Sequence, residues 1–247
     1  HIGSIRNLLG FANADAGSAS IHGLDCRKDA ATLHRMIGYL PGETAFLENM
    51  SGNEFLNFIR DMRGTKQNER RSELIERFEF DPRGNIKKMS KGMKQKLAIV
   101  AAFMHDLAVY ILDEPTSGLD PFMQNVFLTL LEEERHRGKT VLMSSHLFEE
   151  VQRSCDRAGI IKEGRLVAVE DIQALNDVKQ RTYTVTFADP ADLGKLDGLQ
   201  HEKITARQAK ITVGQNYREF FEALARCKVV GLYAEQQSLE DVFMKYY

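Results

Sequence analysis

Two adjacent carboxylates, Asp113 and Glu114, end an apolar run, Leu107-Ala108-Val109-Tyr110-Ile111-Leu112. Burying unpartnered charge costs several kcal/mol or more, so a strand that ends this way needs compensation. A divalent cation is the usual one, and ligands of an α/β sheet gather at the C-terminal ends of its strands. Asp113 would then face Mg²⁺, directly or through water, and Glu114 would orient or deprotonate an attacking water. The competing reading is a strand-to-turn junction whose two acids are solvated.

Further segments in a fixed order bear on this choice. Ser90-Lys91-Gly92-Met93-Lys94-Gln95 comes first, with a small, turn-prone start to a helix. Its serine and free backbone N–H groups suit a terminal phosphate, or form an ordinary helix cap. Ser117-Gly118-Leu119-Asp120 follows the acidic pair directly. Ser144-Ser145-His146 ends the next apolar stretch, and His146 is either a site residue or a core histidine capping a helix.

The elements that must position these residues follow from periodicity and punctuation. Residues 5–24 read as a helix end, a turn at 13–17 and a weak strand. A strand over 35–41 is stopped by Pro41. Ser51-Gly52-Asn53-Glu54 is a capping box ahead of a helix bearing Phe55, Leu56, Phe58, Ile59 and Met62. A charged helix over 67–80 and a third begun by Ser90, with Met93, Leu97, Val100, Ala101 and Met104 on one face, complete a helical insertion at about 48–105. Asp120-Pro121 is a cap followed by proline at the first helical position, and Phe122, Val126, Phe127, Leu130 and Leu131 recur at helical spacing to Gly138. Residues 140–144 read as a short buried strand, 147–154 as a helix, and 158–170 as a hairpin turned at Glu163-Gly164. Such alternation predicts a parallel α/β sheet. Beyond a polar linker near 177–181 the pattern changes to a small α+β domain: strands at 182–187, 199–204, 209–213 and 229–234, a helix at 217–227 and a closing helix at 238–246.

Composition sets the outer limits. The chain has 247 residues, 43% of them apolar, enough for a real core. With 33 basic and 35 acidic residues it lacks the electrostatic footprint of a nucleic-acid binder. Cys26, Cys155 and Cys227 are sparse and odd in number, which argues against a disulfide framework and for a reducing compartment. No apolar run approaches the roughly 20 residues that cross a bilayer, and nothing at the start resembles a secretory signal. The expectation is a soluble, cytoplasmic chain, held at any membrane by a partner.

The ordered motifs resemble the ATP-binding cassette of ABC transporters, and the end of the chain, Ser238-Leu239-Glu240-Asp241-Val242-Phe243, resembles bacterial cassettes that pair with ABC-2-type exporter permeases. The resemblance implies an α/β P-loop NTPase-like ABC ATPase core over 1–176, with a helical subdomain at about 48–105, and a C-terminal α+β accessory domain over 182–247. It implies an ATPase with ATP and Mg²⁺ as cofactors, Asp113 in the magnesium shell and Glu114 as general base. His146 would contact the γ-phosphate and the attacking water, and Asp120 would lie in a loop crossing a dimer interface. Where the family reads LSGGQ, this chain has Met89-Ser90-Lys91-Gly92-Met93. Ser90 and Gly92 match, and Lys91 replaces the first glycine, adding positive charge near the phosphates of ATP held by the other subunit. Implied partners are a transmembrane permease and a second ATPase domain, at the inner face of the cell membrane, with no nucleic acid.

Two departures stand out. Gly42 occupies the place of the family's Mg²⁺-sensing glutamine, and the next residue, Glu43, is either an oxygen ligand or a solvated loop acid. No G-x-x-x-x-G-K-[ST] phosphate cradle occurs anywhere in the 247 residues. The stretch Ile5-Arg6-Asn7-Leu8-Leu9-Gly10-Phe11 resembles the helix that follows that loop in the family. The expectation is a fragment whose phosphate loop and opening strands lie upstream. The acidic strand then loses a hydrogen-bonded neighbour, and the chain alone binds ATP weakly. Two rival readings stand beside the exporter subunit: a non-catalytic half-site offering Ser90 to a partner's ATP, and an ABC protein acting on ribosomes.

Overall fold

The computed structural model of the chain describes residues 2–47, 49–64, 69–176, 181–214, 217–235 and 243–244. It divides into two compact units, residues 1–154 and 155–247.

The first unit opens with α1 (Ile2–Leu8) and a small hairpin of β1 (Ser20–Ile21) and β2 (Leu24–Asp25). Next, α2 (Ala30–Met36) runs directly into β3 (Ile37–Leu40). The helix was not anticipated, and Arg35 and Met36 belong to it rather than to the strand. No glycine or proline separates the two elements, so the junction carries no local punctuation.

Among the described residues, three helices and a 3₁₀ turn separate β3 from β4: α3 (Gly52–Arg63), α4 (Glu69–Arg77), the turn Ile86–Lys88 and α5 (Lys91–Phe103). The capping box of α3 forms as its sequence predicts. Ser51 Oγ accepts from Glu54 N at 3.2 Å while Ser51 N donates to Glu54 Oε2 at 2.7 Å. Gly64 closes the helix in the left-handed conformation, φ 67°. Ser90 caps α5 by accepting from Met93 N at 3.2 Å.

Then follow β4 (Val109–Asp113), α6 (Pro121–His136), β5 (Thr140–Ser144) and α7 (Phe148–Ser154). Strands β3, β4 and β5 form a parallel sheet in that order, with Leu40 opposite Leu112 and Asp113 opposite Ser144. All five residues of β4 are buried. Val109 and Ile111 pack with Ile5, Leu9, Leu33 and Ile37 on one face. Tyr110 and Leu112 pack with Leu56, Phe78, Leu97 and Phe127 on the other. A strand covered on both faces reads as one continuous apolar run, which is why its position was legible.

Three expectations need correcting. Strand β4 has a hydrogen-bonded neighbour on each side, β3 and β5, so the expected loss of a neighbour is not found there. Residues 140–144 are not a buried strand: β5 is the edge of the sheet among the described residues, and Leu142 is 44% exposed. Met93 and Phe122 are also exposed. Both stand in the first turn of their helices, ahead of the first residue of the buried stripe, Gln95 in α5 and Met123 in α6.

In the second unit, β6 (Arg157–Lys162) and β7 (Arg165–Asp171) form the expected hairpin. Its turn residues Glu163 and Gly164 have φ of 49° and 77°, the signature of a type I′ turn. After α8 (Ile172–Asn176) come β8 (Arg181–Phe187), a 3₁₀ turn at Pro190–Lys195, β9 (His201–Thr205), β10 (Gln208–Val213), α9 (Tyr217–Leu224) and β11 (Val229–Glu235). The last four strands form an antiparallel sheet ordered β11-β8-β10-β9, with Val185, Phe187, Ile211 and Phe220 in its core. Most of the linker at 177–181, the start of the helix at 67–80 and most of the closing helix at 238–246 lie outside the described residues. Among the described residues no helix is long and apolar enough to cross a membrane.

Candidate active site

The site is built at the C-terminal end of β4. Asp113 is the last residue of the strand, 7% exposed, and Ser144 on β5 donates its hydroxyl to Asp113 Oδ1. Glu114 leaves the strand with φ 48°, a left-handed conformation that costs a non-glycine residue about 1–2 kcal/mol. Its N–H holds that turn by donating to Ser144 O at 3.0 Å. The side chain of Glu114 thereby reaches His146, whose Nδ1 lies 2.6 Å from Glu114 Oε2. An ionised carboxylate can only accept, so Nδ1 carries the hydrogen and Nε2 is left for other chemistry. The two residues assigned to catalysis from sequence are therefore direct partners, 32 positions apart in the chain.

A cavity of about 950 Å³ opens on these acids. Of the candidate residues, Glu43, Lys91, Asp113 and Glu114 line it, joined by Arg6 and Lys94. Tyr39 lines it too. Burial, with the Asp113 carboxylate adding to it, pushes the Tyr39 phenol above its ordinary range. Lys91 donates from Nζ to Ser117 Oγ at 3.0 Å and lays its stem over Gly118, whose φ is 84°. Gly92 is required sterically: a Cβ there would lie 2.8 Å from Gly118 O.

The other candidates stand elsewhere. Ser90 and Asp120 spend a side-chain oxygen on capping α5 and α6, Asp120 Oδ1 accepting from Met123 N at 3.0 Å. Ser90, Gly92, Asp120 and His146 are not among the residues lining the cavity.

The donor set fits Mg²⁺ only in part-hydrated, shared form. Among the described residues no group of three or more His, Cys, Asp or Glu is placed to hold a metal. Asp113 Oδ1 is engaged by Ser144, while Oδ2 faces Gly42, where a Cβ would come within 3.1 Å. Glycine at this position leaves that oxygen uncovered. One or two carboxylates completed by waters and phosphate oxygens is the usual surrounding of Mg²⁺.

Several residues that build the site were missed as such. Gln95, inside the Ser90 motif, donates from Nε2 to Pro115 O at 2.6 Å and anchors the loop after Glu114. Ser144 was visible beside His146 but carried no assigned role. Thr116 and Glu150 hydrogen-bond to each other in the interior. Glu150 had no sequence signal, because an acid in the first turn of a helix ordinarily reads as solvated.

A family model described as ABC transporter matches residues 4–117. The chain is 33% identical over 169 residues to the ABC transporter ATP-binding protein NatA of Bacillus subtilis (strain 168), covering 66% of this chain and 69% of NatA. It is 33% identical over 171 residues to the linearmycin resistance ATP-binding protein LnrL of the same organism, covering 67% of this chain. That match spans 55% of LnrL, little more than half its length. Among solved structures, one titled "Structure of ATP binding subunit of ABC transporter" superposes with a TM-score of 0.65 at 28% identity, over 71% of this chain and 75% of that one. The α/β core is thus the ABC ATPase fold, and the chain belongs to the ABC transporter ATP-binding protein family.

Proposed function

We propose that the chain is the ATP-binding and ATP-hydrolysing subunit of an ABC exporter. The observation that carries this reading is the 2.6 Å contact between Glu114 and His146 beside the buried carboxylate of Asp113. Glu114 accepts the proton of the water that attacks the terminal phosphate. Its contact with Nδ1 holds the imidazole of His146 so that Nε2 faces the same water and phosphate. Asp113 and Glu43, which line the same cavity, would hold Mg²⁺, which when bound supplies neutralising charge to the phosphate oxygens. Ser90, Gly92 and Lys91 at the start of α5 offer N–H groups and a cation to ATP carried by a second ATPase domain. Asp120 belongs to the loop at that dimer interface.

The same reading makes residues 182–247 an accessory domain and places the subunit on the inner face of a membrane, held by a permease. LnrL is named for resistance to linearmycin, which supports export as the work coupled to hydrolysis. The 247 residues contain no G-x-x-x-x-G-K-[ST] motif, and the residues named here supply the magnesium and water half of the chemistry. Calorimetry on the chain alone is expected to find no micromolar Mg-ATP affinity. Assay of the whole transporter tests the function itself: Mg-ATP turnover should be present and should fall on His146→Ala. A transporter with full turnover after that change would contradict the assignment.

A further inference from the structure

Glu150 is a buried acid that the proposed chemistry does not use. It lies on α7, four residues after His146, and is 5% exposed. Both of its oxygens accept from hydroxyls: Oε1 from Thr116 Oγ1 and Oε2 from Ser145 Oγ, the latter at 2.8 Å. Thr116, itself buried, is two residues past Glu114, and Ser145 immediately precedes His146. Ser145 Oγ also accepts from Leu147 N at 3.0 Å, which fixes the turn on the other side of His146.

These bonds close a ring. It runs from Glu114 along the chain to Thr116, across to Glu150, across again to Ser145, along to His146, and back to Glu114 through the 2.6 Å contact. The ring has three side-chain bridges, and Glu150 supplies two of them. Because a carboxylate only accepts, Glu150 forces both hydroxyls to donate inward, and so fixes their rotamers. Hydrogen bonds to a charged acceptor are about twice as strong as neutral ones, and a buried, fully satisfied network holds its members in one arrangement.

We infer that Glu150 is a positioning residue: through Thr116 and Ser145 it sets the distance and orientation between Glu114 and the imidazole of His146. The inference rests on the proposed roles of Glu114 and His146, but its geometric content can be tested without them. Glu150→Gln keeps the size but replaces one acceptor with an amide donor, so one of the two hydroxyls loses its acceptor. Thr116→Val removes one bridge while keeping the shape, and Thr116→Ser keeps the hydroxyl.

The first measurement is the imidazole ¹⁵N spectrum of His146 in the full chain labelled at histidine. Glu150→Gln and Thr116→Val should move the His146 Nδ1 signal in the same direction as Glu114→Gln, and Thr116→Ser should leave it in place. The second is ATP turnover by the intact transporter. Glu150→Gln and Thr116→Val should lower kcat by about 10- to 100-fold, the usual effect of displacing a reacting group by about an ångström. KM for ATP should stay unchanged, and Thr116→Ser should retain kcat. If Glu150→Gln does not fold, Thr116→Val decides. Unmoved His146 signals, or a loss confined to KM, overturn the inference. A wild-type transporter without turnover overturns the functional reading instead, and the spectra then judge the positioning alone.

Discussion

Gln95 donates to the carbonyl of Pro115 at 2.6 Å, and both residues are buried. This bond ties α5, which begins at the proposed phosphate-contacting Ser90, to the loop that carries Glu114. Removing the donor strands a buried carbonyl, which costs about 1–3 kcal/mol. Gln95→Met, of similar volume, should therefore lower the free energy of unfolding in urea by about that amount. A variant as stable as the parent would show that the bond contributes nothing.

Gly92 and Gly118 make a second contact between the same two segments. A methyl group on Gly92 would press on backbone, Gly118 O at 2.8 Å, and backbone cannot swing aside as a side-chain tip can. Gly92→Ala should destabilise the chain by about 1–3 kcal/mol, the usual cost of overpacking. Thermal melts of parent and variant measure it, and an unchanged or raised Tm would contradict the contact.

Much of this frame was legible in the sequence because local chemistry announced it. Ser51 with Glu54, Ser90, and Asp120 ahead of Pro121 mark helix starts, and all three caps form. Strand β4 announced itself by an apolar run ahead of the acids Asp113 and Glu114, and all five of its residues are buried. What was not legible depends on neighbours remote in the chain. The exposure of Leu142 follows from the place of β5 at a sheet edge, which periodicity within 140–144 does not encode. Resemblance assigned Glu114 and His146 to the same attacking water, but their direct contact was not legible, since no local spacing joins residues 32 apart. Glu150 read as a solvated acid because the hydroxyls that bury it, Thr116 and Ser145, come from other segments.

Two ion pairs from α4 to α6 should differ sharply in worth. Glu134 is 1% exposed and receives both Arg70 and Arg137. Arg77 meets the half-exposed Glu133 at 2.6 Å. Removing one partner of a buried pair costs about 3–5 kcal/mol, whereas an exposed pair is worth about 0–1. Glu134→Leu should cost at least about 3 kcal/mol in urea unfolding, and Glu133→Ala less than about 1. Equal losses would contradict this ranking.

His105 gives the stability a pH dependence. Burial first, and the positive charge of Arg63 second, push its imidazole down to about 4. Unfolded, it titrates near the ordinary value of about 6.5. The folded state thus resists protonation that the unfolded state accepts, so the contribution of His105 is full above about 6.5 and is lost as pH falls from there toward 4. His105→Asn should lose less Tm than the parent between pH 7 and pH 5, and a parallel fall in both would refute the assignment.

In the proposed mechanism Glu114 takes the proton of the attacking water. Mg-ATP turnover by the intact transporter, compared between the parent and Glu114→Gln, tests it most directly. The geometry predicts a fall in kcat of about 10²–10⁴-fold, the range for a lost acid–base group. Turnover unchanged in Glu114→Gln would contradict the account.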